Sequence, residues 1–399
     1  KEISPSVNRP LIKGFVFGVA GGVIGLMFNA TLIDVFEASK VAENLWILLG
    51  ISVGALLLFK KKQVPYLLNL KKVLTSNLFI AIYILIIIFI IYSTSINNFF
   101  VAGDFTLLRQ AAVSSTGDIV KYFTNSQNII YLLYTVFSLQ PQGYHVVLLL
   151  LHSPASLLVY FLTLRILKKK LLAFIATLFF ILSPFLAENI FWFSTFPVTL
   201  SSIFIIFAVL IFLKLWKNKP IIKYLILLIF IIFGFLIHEP SIAVIFYLLN
   251  AGLSIFLVVI IHKISGLLVK KRKISIIFPL VIFTAIILAI FLKELKQEEI
   301  EWRYAGNFTK NMLSTLRLEH EDLQKTSNVY FVSAPVKYGD AWIFPTGIAD
   351  SLWFIYQENN PRIYQTKSIE EANKLILKNK TKNNFIFIFE KDGIIKKVN

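Results

Sequence analysis

The sequence predicts an α-helical polytopic membrane protein of about nine transmembrane helices, ending in a small α/β domain. Three observations predict it. Runs such as 79–92 and 224–236 contain no charged residue, and segments of about 20 apolar residues read as membrane-spanning helices. Basic residues gather in alternate loops between those runs. Composition then changes near residue 294, where charged and apolar residues begin to mix. The 399-residue chain is 57% hydrophobic with a mean hydropathy of +0.75, more apolar sequence than a soluble core requires. It has no cysteine, which excludes disulfides and thiolate metal sites.

Nine spans are expected, at 11–33, 43–59, 77–96, 145–166, 171–185, 197–214, 221–237, 240–261 and 274–293. The short fifth span suits a tilted or re-entrant segment. No cleavable signal peptide is expected near Leu11 to Ile33, because the apolar run is too long and lacks a small-residue cleavage site. Lys60 to Lys62, Lys71 and Lys72 separate spans two and three. Lys168 to Lys170 follow span four, Lys214 to Lys223 follow span six, and Lys270 to Lys273 follow span eight. If spans alternate, these loops share one face, which the positive-inside rule makes cytoplasmic. The N-terminus is then inside and the C-terminus outside. The net charge of +18 is a topology signal and does not point to nucleic acid: 25 of the 40 Lys/Arg but only 8 of the 22 Asp/Glu lie in residues 1–293. In that part Asp34, Glu37, Glu43, Asp104, Asp118, Glu188 and Glu239 all fall outside, and Glu2 alone falls inside. An external, acid-lined site follows from that sorting.

Three regions result: a two-helix membrane segment at 1–70, a transmembrane module at 71–293, and an extracytoplasmic α/β domain at 294–399. Between spans three and four lies the longest polar interval, Asn97 to Gln142. In it, 118–123 and 128–139 read as interfacial amphipathic helices rich in Tyr and Phe. In the last region, helices are expected at 309–325, 347–356 and 369–377 and strands at 328–333 and 362–365. A hairpin of 384–390 with 394–398 turns at Asp392-Gly393. This region shows no Gly-rich phosphate loop, metal-spaced His pair or nucleophile elbow.

The candidate chemistry lies on the outer side. Asp104, just beyond span three, suits a general base or a ligand to a divalent cation such as magnesium or manganese; its plain alternative is a solvated loop aspartate. Glu188, beside Trp192, is an acid between two spans that needs a polar surrounding, or else marks an interface-level turn. His238-Glu239-Pro240 breaks spans seven and eight, and Glu239 there suits a helix N-terminus as well as a site. His145 and His152, seven apart, share a helical face. They can reach a phosphate or a metal, and His152 also suits interhelical packing. Trp192 belongs to an interfacial belt or a sugar platform.

Residues 144–202 carry Tyr144-His145, His152, Ser183-Pro184 with Glu188, and Trp192-Phe193-Ser194. With Gly103-Asp104-Phe105 before them and His238-Glu239 after, this order resembles the GT-C superfamily of polyprenyl-phosphate-sugar-dependent glycosyltransferases, in the protein O-mannosyltransferase branch and its bacterial homologues. The resemblance covers about 75–390. It departs from the family where Gly103 stands for the first acid of an acidic pair, Leu148 for an Asn, Ser183 for a His and His238 for a Lys. An aromatic-Arg-Pro element expected near Asn125 to Ile129 is absent. The resemblance implies inverting transfer of a sugar from a polyprenyl phosphate to a glycan, lipid or protein acceptor, outside a bacterial cytoplasmic membrane. Asp104 would be the catalytic residue, with a divalent cation at it. Glu188, His238, Glu239, His145, His152 and Trp192 would shape the substrate site, and Arg109 and Lys121 would meet the lipid phosphate.

Residues 11–60, with Gly25-Leu26-Met27-Phe28-Asn29 and Trp46-Ile47-Leu48-Leu49-Gly50, resemble the C-terminal end of O-antigen ligases and polymerases. An O-antigen ligase or polymerase is therefore a rival reading, although residues 197–293 lack the large Arg-rich external loop it implies. A transporter is disfavoured by the plain Ile, Leu and Phe of those later spans. A catalytically inactive membrane scaffold is the second rival and accommodates the departures.

Overall fold

The computed structural model describes residues 76–114, 126–214, 228–232, 234, 242–269, 275–320, 323, 327–357, 361–379 and 383–398, and elements are numbered within these. The chain divides into two compact units, Lys1–Tyr83 and Ile84–Asn399. Of the first, the described residues are 76–83, the opening turns of α1. The elements after α1 all lie in the second.

The helices are α1 (Asn77–Tyr92), α2 (Asp104–Val113), α3 (Ser126–Phe137), α4 (Pro141–Leu167), α5 (Lys170–Ile181), α6 (Ala187–Phe191), α7 (Phe196–Lys214), α8 (Ile242–Val269) and α9 (Ile277–Glu319). Among the described residues, α1 together with the 3₁₀ turn Ser93–Asn97 that follows it, α4, α7, α8 and α9 are long and apolar enough to cross a membrane. A sixth span forms if α5 and Pro184–Phe191, bent by 55° at their junction, count as one. The bend falls at Ser183-Pro184, where proline removes an N–H and restricts the residue before it. These six correspond in place to six of the nine expected spans. The expected spans 11–33 and 43–59 lie outside the described residues, as does most of 221–237.

Helix α2 was not expected in the polar interval, and the last long helix also differs from expectation. The span at 274–293 and the helix at 309–325 are a single helix, α9, of 43 residues. At 1.5 Å per residue it is about 65 Å long, roughly twice the hydrocarbon thickness of a bilayer. The acidic stretch from Glu294 does not break it, because its charges pair along the helix surface. Lys296 and Arg303 both reach Glu299, at 2.6 and 2.5 Å, and Gln297 Nε2 donates to Glu301. Pairs three and four residues apart support a helix that has left the apolar phase. Thr94 adds a hydrogen bond to Glu299 from the 3₁₀ turn after α1.

Beyond α9 lies the expected α/β region. Its strands are β1 (Asn328–Val332), β2 (Lys337–Tyr338), β3 (Ala341–Trp342), β4 (Arg362–Thr366), β5 (Asn384–Phe389) and β6 (Ile395–Val398). Helix α10 (Ile348–Tyr356) precedes β4, and α11 (Ile369–Asn379) joins β4 to β5. The sheet order is β4-β1-β5-β6, with β1 parallel to both neighbours and β5-β6 an antiparallel hairpin. All five residues of β1 are buried, as a central parallel strand requires. The hairpin β2-β3 sits against α9: Asp340 N–H donates to Glu301 at 2.7 Å, and Tyr338 stacks on Tyr304 with ring centroids 4.0 Å apart.

A core of buried aromatic side chains underlies the candidate site. Phe100, Phe105, Tyr144, Phe193 and Phe196 come from the loop after α1, from α2, α4, the turn after α6, and α7. Tyr144 meets Phe193 at 4.7 Å and Phe100 at 5.4 Å, both edge to face. Such pairs add about 0.5–1.5 kcal/mol each beyond area burial, so this end of the bundle is held firmly.

Candidate functional site

Asp104 opens α2 and is 1% exposed. A carboxylate suits that position because the first turn of a helix presents unpaired N–H groups. Its Oδ2 accepts the Val101 N–H at 3.0 Å. Its Oδ1 accepts two hydrogen bonds from Ser194, one from the backbone N–H at 2.8 Å and one from the hydroxyl at 2.7 Å. Burial lifts the Asp104 carboxyl to about 7, against the pull of the bonds from Val101 and Ser194, which favour the charged form. The aspartate is therefore enclosed, where a polar interval had suggested a solvated loop.

Three contacts enclose it. Ala102 takes a left-handed conformation, φ 44°, and donates its N–H to the Ile343 carbonyl at 3.0 Å. Gly347, φ 85°, lies so close that a Cβ would stand 2.1 Å from the Ala102 carbonyl oxygen. Gly306 lets α9 approach the loop, since a Cβ there would be 2.9 Å from the Phe99 nitrogen. The fourth cover is polar. Thr106 and Arg109 of α2 both bind Asp350 at the start of α10, at 2.6 and 2.7 Å, and the Arg109 guanidinium lies 5.7 Å from the Trp353 ring.

The other expected residues fall in distinct places. Trp192 is half-buried beside Gly103, with Trp302 and Trp342 at 5.9 and 6.5 Å. Its Nε1 is buried without a hydrogen-bond partner. Glu188 is exposed on α6, and its backbone carbonyl accepts the Trp192 N–H at 3.0 Å. His145 and His152 are both buried on α4. The His145 imidazole lies against the Asn98 backbone. His152 stacks on Phe180 with centroids 5.5 Å apart and meets the Tyr247 hydroxyl at 3.2 Å, the geometry of interhelical packing. Arg109 is already paired with Asp350. Lys121, His238 and Glu239 lie outside the described residues. The structure thus brings together Asp104, Trp192 and Ser194, with Arg109 one turn along α2. It holds His152 in an aromatic core and leaves Glu188 at the surface.

Gly103, which stands where the resembled family has an acid, has a local reason. A Cβ there would be 3.3 Å from the Ser194 hydroxyl and 3.7 Å from the Trp192 ring. As a cation site Asp104 is poorly furnished. Three hydrogen bonds already occupy its oxygens, and no second carboxylate or imidazole joins it among the described residues. Hard divalent cations take six or more oxygen ligands, so this set does not fit one, and no step below runs through a metal. Among the described residues, the carboxylates near enough to one another to share an ion are Glu298, Glu301 and Asp340, which spacing did not single out.

Ser194 and Asp350 are the residues that sequence reasoning did not assign. Ser194 lies in the quoted Trp192-Phe193-Ser194 but is 90 residues from Asp104. Asp350 is 241 residues from Arg109 and had no motif around it. Comparison with family models, curated proteins and solved structures finds no match to this chain.

Proposed function

We propose that the protein is a membrane glycosyltransferase that moves a sugar from a polyprenyl phosphate to an acceptor hydroxyl on the extracytoplasmic face. One observation carries the reading. Gly103-Asp104-Phe105 and Trp192-Phe193-Ser194, far apart in sequence and named by the same resemblance, meet through Asp104 and Ser194. A buried carboxyl lifted to about 7 is also suited to accept a proton near neutral pH.

In the proposed inverting step, the acceptor oxygen attacks the anomeric carbon from the face opposite the donor phosphate. The new bond forms between that oxygen and the anomeric carbon. The bond from the anomeric carbon to the phosphate oxygen breaks, and its electron pair leaves with the polyprenyl phosphate. The acceptor proton passes to Asp104. In this scheme Trp192 and Ser194, which lie against the Asp104 loop, flank the acceptor. Arg109 can bind the lipid phosphate once it is released from Asp350.

The test is sugar release from a panel of labelled polyprenyl-phosphate sugars in purified membranes, wild type beside Asp104→Asn. Turnover by wild type alone is the expected result and names the donor. Equal turnover by both removes Asp104 from the reaction. A second reading, an inactive scaffold, is favoured by the internal bonds that occupy Asp104, from Val101 and Ser194, and Arg109, to Asp350. It predicts no turnover of any donor by either protein.

A further inference from the structure

Within that reading, we infer that Ser194 is the positioning residue of Asp104 and that it directs proton transfer to Oδ2. The inference rests on how the lone pairs are used. A carboxylate oxygen has two in-plane lone pairs. Both of those on Oδ1 are engaged by Ser194, through its backbone N–H at 2.8 Å and its hydroxyl at 2.7 Å. Oδ2 accepts one hydrogen bond, from the Val101 N–H at 3.0 Å. The lone pair left for an incoming proton is therefore on Oδ2. Ser194 can hold this geometry because its turn is itself fixed: Phe193 is wholly buried, and the Thr195 hydroxyl donates to the Trp192 carbonyl at 2.7 Å.

No other side chain among the described residues shares this role. Among the described residues, the titratable groups on the elements around the loop include Arg109 and Asp350, bonded to each other, Tyr144, His145 and His152 on α4, the exposed Glu188 on α6, Glu298, Glu299, Glu301, Lys296 and Arg303 on α9, and Asp340. None of them hydrogen-bonds Asp104, and burial with the Val101 and Ser194 bonds accounts for its titration. Ser194 supplies the side-chain hydroxyl, so it is the group by which a substitution can tune the acid.

The test reads protonation and turnover separately. The titration of Asp104 is followed by infrared spectroscopy of its carboxyl C=O stretch, assigned with Asp104→Asn, in the purified full chain in detergent. A hydrogen bond to a charged group is worth enough to move a titration by roughly one pH unit or more. The Ser194→Ala variant, which keeps the backbone N–H but loses the hydroxyl, is expected to titrate higher by that amount. Ser194→Thr, which keeps a hydroxyl, is expected to titrate with wild type. The pH profile of sugar release should move with the same pattern. An unshifted Ser194→Ala overturns the inference, and so does an equal shift in both variants, which would report altered packing. A shifted titration in a protein whose wild type releases no sugar leaves the positioning role standing and overturns the transferase.

Discussion

An aspartate with 1% exposure, three donors and no basic partner among the described residues is an unusual occupant of a polar interval. Its folded-state value of about 7 lies above its ordinary 3.8. The folded protein therefore retains a proton that the unfolded chain loses between those values. The stability this group contributes is fully present below about 3.8 and is lost as pH rises through about 7. Thermal unfolding in detergent should accordingly weaken for wild type across that window. The Asp104→Asn curve should be flatter there and lower at the acid end. Its amide still accepts from Ser194 but turns an N–H₂ toward the Val101 N–H, a lost buried bond of about 1–3 kcal/mol. Parallel curves would mean that Asp104 does not titrate in this range. The candidate itself was legible, because Asp104 follows span three directly and stands in a quoted motif. Its burial was not: the cover comes from Gly306, Ile343 and Gly347, and no local pattern announces a chain segment returning from more than 200 positions away.

At the scale of elements, the covers over Asp104 differ in strength. On the bundle side the loop is seated in the aromatic core of Phe100, Phe105, Tyr144 and Phe193. On the α10 side the main polar tie is the Arg109–Asp350 pair, with side-chain exposures of 39% and 21%. A half-exposed pair of this kind is worth at most about 1 kcal/mol. The α10 side is thus the weakest wall. Asp350→Asn should raise the reactivity of Asp104 toward a water-soluble carbodiimide severalfold, read by peptide mass spectrometry, while lowering stability little. Unchanged reactivity would direct attention to another wall. Gly347 is the pivot of the same wall. A left-handed residue other than glycine costs about 1–2 kcal/mol, and an alanine Cβ 2.1 Å from a backbone carbonyl has no rotamer to relieve it. Gly347→Ala should therefore lose at least that much stability, whereas Gly252→Ala, which meets nothing within 4 Å, serves as the tolerated control. Sequence periodicity located β1, β4, β5, β6, α10 and α11, which lie where alternation and helical spacing put them, but not the two-residue strands β2 and β3, too short for alternation to show. It divided α9 in two because a hydropathy boundary at Lys293 looks like an end. The pairs through Glu299 and Glu301 show why the helix continues.

At the scale of the molecule, relative sidedness follows from contacts and lengths. Segment 341–350 binds the 98–109 segment directly, so the α/β region and the Asp104 loop share one side of any membrane the spans cross. Helix α4 begins beside that cluster at Pro141 and Tyr144 and runs for 27 residues to Leu167. That is about 40 Å, more than the roughly 30 Å of a hydrocarbon core, so an α4 that crosses a membrane places Lys168, Lys169 and Lys170 at the opposite face. The sheet order β4-β1-β5-β6 had no counterpart in the sequence pattern, because strand neighbours depend on crossovers that hydropathy does not encode. The proposed transferase requires the absolute direction that the excess of basic residues in alternate loops predicts, with Lys168 to Lys170 cytoplasmic. Because the chain has no native cysteine, single substitutions test this cleanly. In intact cells an impermeant maleimide should label the exposed Lys378→Cys variant, and should label Lys170→Cys only after permeabilisation. Labelling of both without permeabilisation would mean that α4 does not cross. The reverse pattern would put Asp104 and the α/β region in the cytoplasm, where a donor presented at the outer leaflet cannot reach them, and the transferase reading would fall with it.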